Sequence, residues 1–160
     1  HAAKLNEADA SARIGAAIMM ARLGRHPEAM EGLRRCVELF PGSVQAKLNL
    51  AQSLSAYPDS TRQDGEKALA LAFPVFEQMK SVPAAVSVAM AHAAGGDFSK
   101  AVEVQQWALD HTTAQGFSVD LPWLKRNLRL YQEGKPCREP WNKERGYPAI
   151  EGIAAVAEAP

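Results

Sequence analysis

The chain has only two cysteines, Cys36 and Cys137. Neither belongs to a CxxC pair or to a Cys/His cluster at metal-ligand spacing, and two thiols do not make a disulfide framework. Metal and disulfide staples are therefore not expected to hold the fold. Long apolar runs are also missing. The two longest, Ile14–Ala21 and Ala68–Phe76, fall far short of the roughly 20 residues a membrane-spanning helix needs. No charged segment leads into an apolar one as a secretory leader would, so direct membrane insertion is not expected. Charge of one sign is absent as well: 18 basic residues balance 18 acidic ones, and nucleic acid is not an expected partner without a basic stripe. Catalytic signatures are missing too, with no HExxH, no GxSxG and no P-loop lysine pattern. Gly95-Gly96-Asp97 is a turn between helices, because a phosphate cradle needs more glycine spacing and a preceding strand. No catalytic residue, metal or cofactor is expected, and the chain reads as a non-enzyme.

What is present is helical periodicity. With 47% apolar residues over 160 positions, the chain can bury the core of one compact unit. Asn6 is an N-cap candidate with Asp9 three residues on, and the first helix is expected to reach Leu23 before Gly24 takes a left-handed position. Pro27 suits the first turn of the next helix, with Glu28 beside its N-terminal dipole. That helix carries an apolar stripe of Ala29, Met30, Leu33, Val37 and Leu39 or Phe40, and Pro41 ends it. A second pair opens after Gly42-Ser43 with Ala46, Leu50, Ala51 and Leu54 on one face. Its turn, Tyr57–Gly65, is rich in turn formers and offers Asp64 as a cap; Pro74 is expected to kink the helix that follows. A third pair places Val88, Ala89 and His92 before Gly96, Asp97 as N-cap, then Ala101, Val102, Val104, Trp107 and Leu109. Finally Leu121, Leu124, Leu128 and Tyr131 recur at helical spacing before the stop signals Gly134 and Pro136.

These residues share a register. In Arg13–Pro41, Ala16-Ala17 and Met20 precede Ala29, Leu33 and the closing Pro41; Leu50-Ala51 with Leu54, and Val88-Ala89 with His92, repeat the first part of that order. The segment resembles one tetratricopeptide repeat, whose pattern over about 34 residues is W-x2-L-G-x2-Y, A-x3-F and P, with Arg13 at the Trp position and Gln105 at a Phe. Leu50–Pro140 further resembles a bacterial variant of that family, with a CPD-type loop before the second helix of a repeat and an LYRxGKPYRE-like tag closing the last helix. Here Tyr57 stands where a Cys is usual and Cys137 where a Tyr is. The resemblance implies an all-α, right-handed α-solenoid of about three helix pairs plus a C-terminal capping helix. It places the repeat domain at 1–135, with repeats near 10–43, 44–81 and 82–115, the cap at 119–133, and a Pro-containing tail at 136–160. Such a cap covers the apolar flank that another repeat would have covered.

The resemblance implies a binding scaffold and no reaction. His92 occupies a position that packs an aromatic and reads as a hydrogen-bonded core histidine; Cys36 reads as an inert packed thiol. His26 and His111 lie at helix ends, and Trp107, Trp123 and Trp141 read as packing residues. First helices of stacked pairs line a concave face, which by register presents Ser11, Ile14, Ile18 and Arg22, then Gln45, Leu48, Asn49 and Gln52, then Val86, Ser87 and Met90. Arg22, Gln45, Asn49, Gln52 and Ser87 are the candidate peptide-binding residues, since amides and a guanidinium match the donors and acceptors of an extended backbone. The Lys and Asn clamp for a chaperone C-terminal peptide is not reproduced. The expected function is a non-enzymatic scaffold binding a peptide or protein segment in the groove; the alternative is an accessory domain of a larger enzyme or membrane-anchored protein, which a chain opening at His1 without Met favours. Self-association and docking of the tail on its own groove both stay open. Trp141, Tyr147, Ile150, Ile153 and Val156 make the tail apolar enough to pack back along the stack.

Overall fold

The computed structural model describes residues 2–114 and 121–139, with side chains from Asn6 to Thr112 in the first stretch. Seven helices occupy them, and no strand occurs among the described residues: α1 (Ala2–Arg22), α2 (His26–Leu39), α3 (Val44–Ala56), α4 (Arg62–Met79), α5 (Val82–Ala94), α6 (Phe98–Ala114) and α7 (Leu121–Gln132). α1 packs on α2, α3 on α4 and α5 on α6. Between pairs, α2 meets α3 and α4 meets α5, while α1 touches α3 and α3 touches α5. Consecutive helix pairs thus stack side by side with their first helices adjacent, the all-α repeat architecture expected from the register. α7 packs against α6.

The turns follow local rules. Gly24, Gly96 and Gly134 have φ of 78°, 87° and 70°, the left-handed region where a side chain is strained. At each, two backbone bonds close the helix end: Gly24 N to Ala21 O (3.1 Å) with Arg25 N to Met20 O (2.9 Å), Gly96 N to Ala93 O (3.1 Å) with Asp97 N to His92 O (2.9 Å), and Gly134 N to Tyr131 O (3.0 Å) with Lys135 N to Leu130 O (2.8 Å). This is the Schellman pattern, which occupies carbonyls the helix leaves open. Ser43 and Asp97 cap α3 and α6, accepting from Ala46 N and Lys100 N respectively.

Other local expectations are corrected. α1 begins at Ala2, so Asn6 lies inside it and is no cap. Thr61, not Asp64, caps α4. Its hydroxyl accepts from Asp64 N while the Asp64 carboxylate accepts from Thr61 N, a reciprocal capping box. The helix consequently starts three residues before Gly65, and Pro74 lies within it. On α2, Leu39 is 53% exposed and Phe40 half-buried, while Cys36 is buried as a packed thiol, as expected.

Two apolar clusters form the core. One joins the first two pairs and reaches α5 through Ile14, Leu33, Leu50, Leu54, Ala68, Val75 and Val88; the other joins α5 and α6 to α7 through Met90, Ala101, Leu109, Leu124 and Tyr131. Helices approach closely where residues are small. A Cβ on Gly65 would lie 2.4 Å from Gly95 N and 2.8 Å from the Ala94 carbonyl carbon, so the start of α4 lies directly on the end of α5.

Register explains the two ends of the stack. Leu50 in α3 and Val88 in α5 are buried, and α2 and α4 pack against those helices, whereas Ala16, at the equivalent place in α1, is exposed with Arg13 one turn before it. Small and charged residues stand at the expected Trp and Leu positions on this flank, which none of the described helices covers. At the other end, α7 exposes Pro122, Lys125, Arg129 and Gln132 while burying Leu124, Asn127 and Tyr131. It thereby turns a polar face outward and an apolar one onto α6.

Candidate functional site

α3 carries three of the residues singled out from sequence. Gln45, Asn49 and Gln52 recur at i, i+4 and i+7, which puts them on one stripe of the helix, and all three are half-buried. Ser11 of α1 donates its hydroxyl to Gln45 Oε1 at 3.4 Å. Asn49 Nδ2 donates to the Gln45 carbonyl at 2.8 Å. Gln52 Nε2 donates to Ser87 Oγ at 2.8 Å, and that hydroxyl donates to the Pro83 carbonyl at 2.9 Å. The amides therefore tie α1, α3 and α5 together across the face they share. Ser87 is fully buried, so it acts on this surface by fixing Gln52. Arg22 stands half-buried in the last turn of α1.

The aliphatic part of the expected groove is core. Ile14, Ile18, Leu48, Val86 and Met90 are all at most 6% exposed. The reason is the contact of α1 with α3 and of α3 with α5: a residue pointing between two neighbouring first helices is covered by both, and only longer polar side chains reach past that seam. The accessible chemistry of the face is accordingly amide and hydroxyl.

Cavities open at both edges of the α1–α3 seam. One of about 510 Å³ lies where these helices begin and is lined by Asn6, Glu7, Ser11, Phe40, Ser43 and Gln45 among others. The second, of about 400 Å³ and more apolar, lies at their far ends between Ala21, His26, Met30, Ala56, Tyr57 and Pro58, with Arg138 on its wall. None of Arg138, His26 and Tyr57 was among the binding residues expected from sequence. The signal for Arg138 was the tag following α7, but nothing local to that tag says where it lands.

It lands on the end of α3. Arg138 Nη1 donates to the Tyr57 carbonyl at 3.0 Å, at the one first-helix terminus that closes without a left-handed glycine. Next to it, Glu139 pairs with Arg126 of α7 at 2.7 Å. Cys137 is 1% exposed, in the apolar cluster that holds Val86, Met90 and Ala93 of α5 and Ala56 of α3. Its thiol donates to the Glu139 carbonyl at 3.1 Å.

Burial sets the direction in which the titratable groups of the core shift. Burial raises both thiols, Cys36 and Cys137, above their ordinary value, which keeps them protonated and unreactive. Burial also lowers His92 and pushes Tyr131 far up. Among the described residues no group of three or more His, Cys, Asp or Glu could hold a metal, and no helix is long and apolar enough to cross a membrane.

A family model for the tetratricopeptide repeat matches residues 10–53, which span most of α1, all of α2 and most of α3. Neither the curated proteins nor the solved structures give a match.

Proposed function

From the premise that this chain belongs to the tetratricopeptide repeat family, we propose that it binds an extended protein segment along the inner face of its first two helix pairs, without catalysing a reaction. The three pairs α1–α2, α3–α4 and α5–α6 are then the repeat units, and α7 is the cap. The observation that carries the reading is the stripe of Gln45, Asn49 and Gln52, half-exposed on α3 with a cavity at each edge of the seam. Amides present donors and acceptors side by side, as an extended backbone does, so one row of them satisfies a peptide without a fixed charge pattern. Ser11 and Ser87 hold the outer two amides in place, which lowers the ordering cost of binding. Arg22, at the end of the same face, supplies positive charge.

The test uses a random-peptide library displayed on phage and selected on the full chain. Peptides enriched by the native protein should lose capture by the Arg22→Ala, Asn49→Ala, Gln52→Ala triple variant. Undiminished capture by that variant would put binding elsewhere on the molecule.

A further inference from the structure

The polar row on α3 runs from one cavity to the other. Gln45, Asn49 and Gln52 are continued at the same helical spacing by Ala56; Gln45 lines the cavity where α1 and α3 begin, and Ala56 lines the one at their far ends. The two cavities carry opposite charge. Glu7 is the charged residue on the wall of the first, and Arg138 on the wall of the second. His26, which shares the second wall, carries no negative charge in either of its protonation states.

Neither charge is fully used within the fold. Glu7 is exposed and has no ion-pair partner among the described residues. Arg138 is exposed too and donates through Nη1 to the Tyr57 carbonyl, so the rest of its guanidinium keeps donors for a carboxylate. Arg22, in the last turn of α1, stands at the same end of the seam and adds to that sign. We propose that the protein segment this face accepts is charged in a fixed pattern: a Lys or Arg at the Glu7 end and an Asp or Glu at the Arg138 end, about five residues apart. This rests on the reading of the inner face as a peptide site and adds which peptides it takes.

The spacing follows from helix geometry. From Gln45 to Ala56 α3 rises about 17 Å, which an extended segment covers in about five residues. Between the ends, the amides of the row meet backbone donors and acceptors, which every sequence offers alike. Sequence is therefore read at the two charged ends, where a segment turned the other way would set like charge against like.

The test selects the same displayed library on the full chain and sequences the retained peptides. The native protein should enrich peptides with a basic and an acidic residue at that spacing by about fivefold over peptides with the same two residues adjacent, the factor an exposed ion pair can supply. Glu7→Lys should abolish the preference for the basic residue and leave the acidic one, and Arg138→Glu should do the reverse. Arg138→Lys, which keeps the charge, should keep the acidic preference, and a role of Arg138 in packing alone would not follow that order. Retained peptides without the charged pair, or preferences that the exchanges leave in place, would overturn the proposal. The Arg22, Asn49 and Gln52 triple variant keeps the two readings apart. Capture lost in that variant, with preferences unmoved by the exchanges, removes the charge pattern and leaves the peptide site; preferences that follow the exchanges while the triple variant still captures remove the amide row and leave the charged ends.

Discussion

The first helix pair and the third have the same register and opposite surroundings. In α1 the residues equivalent to Leu50 and Val88 are solvent-facing, and in α5 even the inner positions are covered. Whether a position is surface or core in a stacked array is decided by which neighbours it has, since each pair hides what the next leaves bare. α3, with first helices on two sides, is where a half-exposed polar row survives. The open part of the face belongs to the middle of the stack and its closed part to the C-terminal end.

Tight packing between the later pairs gives the largest expected effect. Gly65→Ala would drive a Cβ into the Ala94–Gly95 backbone, which cannot move as a side-chain tip does, and should cost about 3 kcal/mol or more. Gly32→Ala in the first pair would meet only the Ala17 Cβ at 3.3 Å; the helix propensity of Ala, about 1 kcal/mol better than Gly, should offset that crowding. Urea midpoints for the two variants check this, and equal losses would break the contrast.

Next comes the inner face itself. Met90 and Gln52 hold the same register position, one 1% exposed and the other half-buried. Met90→Ala should cost about 2–5 kcal/mol as a core truncation, whereas Gln52→Ala should cost less than about 1 kcal/mol, because Ser87 keeps its bond to the Pro83 carbonyl. A small loss for Met90→Ala in equilibrium unfolding would mean that the third face is not sealed.

The smallest difference lies in the helix starts. Thr61→Ala removes half of the capping box and should cost about 1 kcal/mol. Arg25→Ala, at the uncapped start of α2, removes only an exposed surface pair with Glu28 and should leave the unfolding midpoint in place. Acid sharpens the distinction. Burial draws the Asp64 carboxyl upward, but bonds from Thr61 and Tyr57 and the nearby Lys67 charge outweigh it and hold it below its ordinary 3.8. A carboxylate depressed in the folded state contributes stability that is complete above the ordinary value and lost as pH falls through the folded one. The native chain should therefore lose stability more steeply below about pH 4 than Asp64→Asn does, as read from thermal midpoints across that range.

Much of the architecture was legible in the sequence because it rests on short-range rules. Gly24, Gly96 and Gly134 each end a helix within a few residues of the groups they satisfy, and Ser43 and Asp97 cap within one turn. Ala17, Ala51 and Ala89 mark close approach by size alone. What failed locally failed between near-equal candidates. Thr61 and Asp64 can both cap, and the structure uses them together; Leu39 and Phe40 both suit the apolar face of α2, and of the two it is Phe40 that is half-buried and Leu39 that is exposed. The candidate site divided along the same line. Gln45, Asn49 and Gln52 share a helical stripe that spacing alone predicts, whereas the burial of Ile14, Ile18, Leu48, Val86, Ser87 and Met90 depends on the seams between first helices. The tail from Pro140 to Pro160, with the expectation that its apolar residues pack back along the stack, lies outside the described residues, as do residues 115–120 between α6 and α7.

The sequence by itself determined the helices, their turns and their pairing in register, since each depends on contacts within one turn or one hairpin. Only the tertiary structure decided which parts of the inner face remain open. That choice is made where first helices meet: Gln52 reaches Ser87 from 35 residues away, and the seams cover Leu48, Val86 and Met90. Contacts at such separation leave no periodicity behind them, because the residues that make them are placed by every helix that intervenes.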